Sequence, residues 1–301
     1  MNIHHSGIND LEIPNERFIL NTKGCINMNN NCFLNCLILA MFGYTKSPFY
    51  KLKKFKNEDS KLVFNCFLKI IGHVKKNQYP DISIMRNILP MEMRYGQQDS
   101  SETFDQFMKI LNFEPMKVWT VRESKNKKTK DENFKGNLSV RNVSYITLDN
   151  DGSENYKPIK FLFYPEKWED LGSSPNNWVQ DDNDNPKYRY TRQKIKEITG
   201  NCLIFNVNRG MDVYNRHKNR IVTPITIENG NKKFFRFAII LHLSSGINYG
   251  HYVLVLFDGN KHYLYDDMNN KKIINCPINF ENDDNIEYIE RNSVMYFYYL
   301  I

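Results

Sequence analysis

One stretch near the N-terminus constrains this chain more than any other: Gly24-Cys25-Ile26-Asn27-Met28-Asn29-Asn30-Asn31-Cys32-Phe33-Leu34-Asn35-Cys36. Three asparagines run into a cysteine, and a dense apolar run follows through Leu37, Ile38, Leu39, Met41 and Phe42. The i, i+3, i+4, i+7 spacing of Leu34, Leu37, Ile38 and Met41 predicts a buried helix. Asn30 or Asn31 is the natural N-cap and Gly43 the natural stop. Cys32 then stands at a helix N-terminus, where the dipole and free backbone N–H groups favour a thiolate, the nucleophilic form. The plainer alternative is that Cys32 is a small buried apolar residue, as most free cysteines are.

Such a helix needs a core to sit in. The chain has 301 residues, enough for one large domain or two small ones, with 20 Phe and 18 Tyr to fill an interior. Its net charge of +7 comes from scattered basic residues. The one tight cluster, Lys125-Asn126-Lys127-Lys128-Thr129-Lys130, has no interleaved aromatics, so it reads as a solvated loop and not as a nucleic-acid site. Cysteines 25, 32, 36, 66, 202 and 276 form no C-x-x-C pair, which argues against a structural zinc site and against a disulfide framework. No apolar run is long enough to span a membrane, and the polar N-terminus has no signal-peptide character. A reducing compartment, cytoplasm or nucleus, is expected. The sequons at Asn137 and Asn142 are then incidental.

Helical patterning dominates to about Leu111: the Cys32 helix, then Lys61–Lys75, then Ser100–Leu111 capped by Asp99 or Ser100. From about Phe134 the period shortens. Leu138 to Thr147 nearly alternates, and Ile159–Tyr164 reads as a short strand. Glu166–Asn185 reads as a loop. Strands are expected at Cys202–Val207, Ile221–Ile227, Phe234–Leu243, Tyr252–Phe257, Lys261–Tyr265 and Val294–Leu300. A helical first third followed by antiparallel strands is an α+β pattern.

A cysteine nucleophile needs a base and a group that orients the base. His251 opens a strand behind Gly250, and Lys261–Tyr265 is its antiparallel partner across a turn at Asp258-Gly259-Asn260. Pairing about that turn brings Asp266 or Asp267 beside His251, within reach of its Nδ1. Since neighbouring strand residues point to opposite faces, only one of the two carboxylates is expected to face the ring.

These residues together resemble the ubiquitin-specific proteases. Gly24-x-x-Asn27-Met28-x-Asn30-x-Cys32-Phe33-Leu34-Asn35 is similar to that family's cysteine box. Gln97-Gln98-Asp99-Ser100-Ser101-Glu102-Thr103-Phe104 is similar to its Gln-Gln-Asp-Ala-His-Glu-Phe helix. Cys202 to Arg209 is similar to its strand ending in an arginine. His242 to Gly246, Gly250-His251-Tyr252 and Tyr263-x-Tyr265-Asp266-Asp267 are similar to its histidine box, and Ser293 to Tyr299 to its last strand. The boxes run in family order from about residue 22 to the end.

The resemblance implies a papain-like cysteine protease fold. After an N-terminal arm (1–21), a helical thumb (22–115) packs on an antiparallel palm (201–301), with a reduced fingers insertion (116–200). It implies a deubiquitinase that acts as a monomer on ubiquitin or ubiquitinated proteins, with no cofactor, metal, nucleic acid or membrane. Cys32 would be the nucleophile, His251 the base and then the acid, and Asp266 the orienting carboxylate, with Asp267 a neighbour that can substitute. Asn27 would supply an oxyanion-hole amide. Gln97, Asp99 and Tyr252 would line the channel for ubiquitin's tail, with Asp99 pairing a tail arginine, and His242 would be structural. Two other readings are a protease for another ubiquitin-like modifier and a catalytically silent ubiquitin-binding module. The chain departs from the family pattern where Asn29 replaces Gly, Asn31 replaces Thr, Cys36 replaces Ser, and Ser101 and Thr103 replace His and Phe. Both zinc-binding pairs are missing.

Overall fold

The computed structural model describes residues 24–28, 30–44, 47–51, 55, 57–125, 138–148, 169–170, 179–180, 186–188, 190–209, 219–229, 231–244, 250–258, 261–268, 273–275 and 283–301. The N-terminal arm, Asn29, the lysines at 127–130, the expected strand Ile159–Tyr164, residues 245–249 and the turn residues Gly259 and Asn260 lie outside them.

Three helices make one layer. Helix α1 (Cys32–Phe42) is buried on every face, as its all-apolar surface demands. Helix α2 (Glu58–Lys75) is amphipathic and buries Val63, Phe64, Phe67, Ile70, Ile71 and Val74. It starts three residues before the expected Lys61 because Asn57 caps it, accepting from the Ser60 N–H at 2.9 Å. Helix α3 (Ser100–Leu111) has its expected bounds, with Asp99 as N-cap.

The strands follow in order: β1 (Met116–Lys125), β2 (Leu138–Val143), β3 (Ile146–Leu148), β4 (Glu169–Asp170), β5 (Val179–Gln180), β6 (Pro186–Tyr188), β7 (Tyr190–Gly200), β8 (Cys202–Val207), β9 (Thr226–Asn229), β10 (Lys232–Leu243), β11 (His251–Asp258), β12 (Lys261–Tyr265), β13 (Ile273–Asn275) and β14 (Ser293–Leu300). The main sheet runs β13-β12-β11-β10-β14-β8-β3, with β9 paired to β10. Its pairings are antiparallel except β3 with β8. Helix α1 lies against β10 and β11, and α3 against β14, where Phe104 meets Phe297 edge-on at 5.7 Å. This is an α+β architecture with the core between helices and sheet.

Four stretches differ from the sequence reading. Residues 116–200 contribute a separate sheet, β2-β1-β7-β4, whose long charged strands β1 and β7 show too little apolar alternation to be read beforehand. The loop expected at Glu166–Asn185 contains the short strands β4 and β5. Of Ile221–Ile227, only the end joins the sheet as β9. The rest is tied elsewhere: the Ile221 N–H reaches the Glu290 carbonyl at 3.4 Å, and the Thr223 carbonyl takes Arg236 Nη1 at 3.0 Å. Glu290 belongs to a polar helix, Asp283–Asn292, which the sequence reading also missed.

Candidate active site

Cys32 is the first residue of α1 and is 3% exposed. Asn31 precedes it as N-cap, but its side chain makes no capping bond. Asn27 caps instead: its Oδ1 accepts from the Asn31 N–H at 2.9 Å. The left-handed turn falls on Asn30, at φ 60°, a conformation asparagine tolerates better than most residues.

The Cys32 sulfur sits among backbone donors. Burial raises its pKa to about 11, while hydrogen bonds from the N–H groups of Tyr252, Phe33 and Cys32 itself pull it down. The expectation of a resting thiolate is therefore corrected. The helix N-terminus is present, but desolvation of the charge outweighs it. The Tyr252 N–H also fixes where the sulfur lies, at the second residue of β11, the residue after His251.

His251 donates from Nε2 to Asp266 Oδ1 at 2.8 Å, and Asp267 Oδ1 lies 3.9 Å from the same nitrogen. The carboxylate thus meets Nε2, not the expected Nδ1. Nδ1 is buried without a protein partner, so the bond at Nε2 leaves the other nitrogen as the one that can take a proton. One carboxylate, Asp266, bonds the ring, while Asp267 lies close to it without a hydrogen bond. The register explains this. Leu254 faces Tyr265, so β12 ends before the level of His251, and the chain turns at Asp266 and Asp267 instead of alternating.

Asp267 is 2% exposed and holds two amides: Asn27 Nδ2 donates to Oδ1 at 3.0 Å, and Asn35 Nδ2 donates to Oδ2. Burial raises its pKa, and the Asn35 bond, the His251 charge and the Asn27 bond work against that rise. Asn27 therefore uses one amide hydrogen on Asp267 and keeps one. The Cys25 segment is clamped from the other side, where the Tyr265 hydroxyl accepts from Cys25 N–H at 3.0 Å and donates to Cys25 O at 3.1 Å. Gly24 permits this closeness, since a Cβ there would lie 2.1 Å from Tyr265 Cε2.

Gln97 donates to His242 Nε2 at 3.1 Å, and the His242 ring stacks on Tyr252 with centroids 4.3 Å apart. Tyr252 is 2% exposed, covered by His242 and by the edge of Phe33. Gly250, at φ 136°, leaves room for this group, since a Cβ there would meet His242 Nε2 at 2.8 Å. Asp99 is exposed, and its Oδ1 caps α3 through Ser101 N–H and Glu102 N–H. Cys32, His251, Asp266, Asp267 and Asn27 thus form one cluster, and Gln97 and Tyr252 join through His242. Among the described residues, the three-residue group able to hold a metal is His251, Asp266 and Asp267, with one ligand atom of each within 4.8 Å of the others. Both Asp267 oxygens in that set already hold amides.

No protein-family model matches this sequence, and no curated protein does. Solved structures do. The SAGA DUB module Ubp8/Sgf11/Sus1/Sgf73 bound to monoubiquitin superposes with a TM-score of 0.65 at 13% identity, covering 97% of this chain and 72% of that chain. This chain has a ubiquitin protease-like fold. The same module bound to ubiquitin aldehyde gives the same values. The yeast SAGA DUB module with an Sgf73 mutant gives a TM-score of 0.63 at 12% identity, over 97% and 71% of the two chains. At these identities the likeness speaks for the fold alone.

Sequence reasoning assigned no role to Asn35 or Arg86. Asn35 was visible as an asparagine on an otherwise apolar helix. Arg86 gave no periodic signal at all, because it is bonded to two separate segments, at Asn30–Asn31 and at Arg94 and Gly96.

Proposed function

We propose that this chain is a cysteine-type deubiquitinase, hydrolysing bonds at the C-terminal glycine of ubiquitin. The observation that carries the reading is the Cys32 sulfur at the start of α1, bonded by the Tyr252 N–H and so adjacent to a His251–Asp266 pair at 2.8 Å. The ubiquitin protease-like fold supports it. In the proposed reaction, His251 Nδ1 takes the Cys32 proton as the sulfur attacks the glycyl carbonyl. The second Asn27 amide hydrogen and the Cys32 N–H stabilise the resulting oxyanion. The imidazolium, held through Nε2 by Asp266, returns its proton to the leaving amine. Water then attacks the thioester with His251 again as base, releasing the glycine carboxylate and restoring the thiol.

The resting thiol, with its pKa near 11, makes proton transfer to His251 part of the attack rather than a prior step. Gln97, with His242 and Tyr252 behind it, would border the path of ubiquitin's Gly-Gly tail, and Asp99 Oδ2 would meet a basic tail residue. The test is incubation with ubiquitin bearing a C-terminal electrophile. Wild type should form a covalent adduct, Cys32→Ala should form none, and Cys36→Ala should label normally. Labelling only by another Gly-Gly-tailed modifier would redirect the substrate. Absence of labelling with retained ubiquitin binding would make the chain a binding module.

A further inference from the structure

A buried guanidinium stands under the nucleophile's turn. Arg86 is 5% exposed and projects from the 3-10 helix Ser83–Ile88. Its Nε donates to Asn31 Oδ1, and its Nη2 donates to the Asn30 carbonyl at 2.9 Å. Its Nη1 donates to the carbonyls of Arg94 at 3.0 Å and Gly96 at 2.7 Å. Its central carbon lies 5.1 Å from the centroid of the Phe33 ring. One planar group therefore grips Asn30, Asn31 and Phe33, the residues flanking Cys32, together with the segment that leads into Gln97.

The grip is directional. Asn31 is fully buried, and its amide nitrogen is held by Ser83 Oγ at 3.2 Å, so its carbonyl oxygen has one orientation, toward Arg86. The Asn31 N–H in turn holds Asn27 Oδ1, and Asn27 Nδ2 holds Asp267. A continuous chain of hydrogen bonds runs from Arg86 to the amide proposed for the oxyanion. Lysine, a compact point charge, cannot reproduce a fork that meets four acceptors in one plane.

We infer that Arg86 is a positioning residue for catalysis: its guanidinium locks the Asn30–Asn31 turn so that the Cys32 sulfur and the Asn27 amide stay aligned, and ties that turn to the Gly96–Gln97 segment. The inference rests on the reading of Cys32 as nucleophile.

The test uses the full chain with Arg86→Lys and Asn31→Ala, read by three measurements. They are kcat and KM on a ubiquitin C-terminal amide, thermal midpoint, and the pH profile of Cys32 alkylation by iodoacetamide, mapped by peptide mass. Both variants should lose kcat by about 100-fold, the effect of a small misplacement of reacting groups, with KM changed far less. Cys32 alkylation should shift to higher pH, and Arg86→Lys should stay folded at the assay temperature. Wild-type kcat in either folded variant, or a kcat loss that follows thermal stability with an unchanged alkylation profile, overturns the inference. If Arg86→Lys does not fold, Asn31→Ala decides by the same criteria. The alkylation arm needs no ubiquitin. A wild-type protein inert toward ubiquitin but with a Cys32 profile that shifts in the variants would overturn the substrate and leave the positioning role standing.

Discussion

Two adjacent aspartates have different surroundings: one is hydrogen-bonded to the imidazole, and the other is bonded to two asparagine amides 3.9 Å from the same ring nitrogen. Asp266 makes the 2.8 Å bond to His251 Nε2 and accepts the Met268 N–H at 3.0 Å. Asp267 is buried and joins Asn27 to Asn35. Asp266→Ala should therefore cut kcat by about 10³–10⁴-fold through loss of ring orientation, with little change in stability. Asp267→Ala should also lower kcat, through Asn27, but must in addition destabilise the fold by about 1–3 kcal/mol, because the buried Asn35 amide and the partly buried Asn27 amide each lose a hydrogen bond. Kinetics on a ubiquitin C-terminal amide and urea denaturation of both variants separate the cases. A larger kcat loss at Asp267 with no loss of stability would reverse the two roles. The sequence reading chose between the aspartates by family pattern. In the structure Asp266 makes the hydrogen bond to the ring and Asp267 stands 3.9 Å from the same nitrogen.

At the scale of elements, the site is assembled by a short extended segment laid between α1 and β12. Ile26 N–H bonds to the Pro80 carbonyl at 2.9 Å, and the Tyr265 hydroxyl bonds both backbone groups of Cys25. Tyr265 is fully buried, so it has no space to yield. Gly24→Ala puts a methyl group inside its ring and should cost about 1–3 kcal/mol. It should also displace Asn27 and lower kcat. Denaturant midpoint and kcat measured together check this; a variant normal in both would mean the segment relaxes freely. The glycine was legible in the sequence as part of a motif, but the partner that requires it lies 241 residues away (265 − 24).

Across the whole molecule, the helical layer and the main sheet are pinned where α1 ends. The Tyr299 hydroxyl, from β14, donates to the Ala40 carbonyl at 3.1 Å and accepts from Ser47 Oγ at 3.3 Å. Its ring stacks on Phe237 at 3.6 Å. Tyr299→Phe keeps the stack and removes only the polar tie, which should lower stability by roughly 1–2 kcal/mol. Activity at low temperature should survive, since α1 is still held at its other end by the Cys32 cluster. Thermal midpoint and kcat of the variant test this. A collapse of kcat with normal stability would show that the pin sets the site and not merely the docking.

Local pattern determined the helices, most main-sheet strands and the Cys32 and His251 candidates, while Asn27, Gln97, Asp99, Tyr252 and the choice of Asp266 came from the family resemblance. The local part is written in the spacing of neighbouring residues: the apolar helix after Cys32, the Asp99 cap of α3, and the two apolar runs on either side of Asp258-Gly259-Asn260. Tertiary structure decided everything that depends on what surrounds a group. Burial raised the Cys32 pKa despite its helix N-terminus. The early end of β12 put the Asp266 carboxylate on Nε2 of His251 and left Asp267 bonded to Asn27 and Asn35. Arg86 met its partners only when the segments at Asn30–Asn31 and Arg94–Gly96 closed around it. Periodicity reports which face of an element is apolar. Desolvation, strand register and the orientation of a buried side chain are properties of the closed fold, and no short window of sequence contains them.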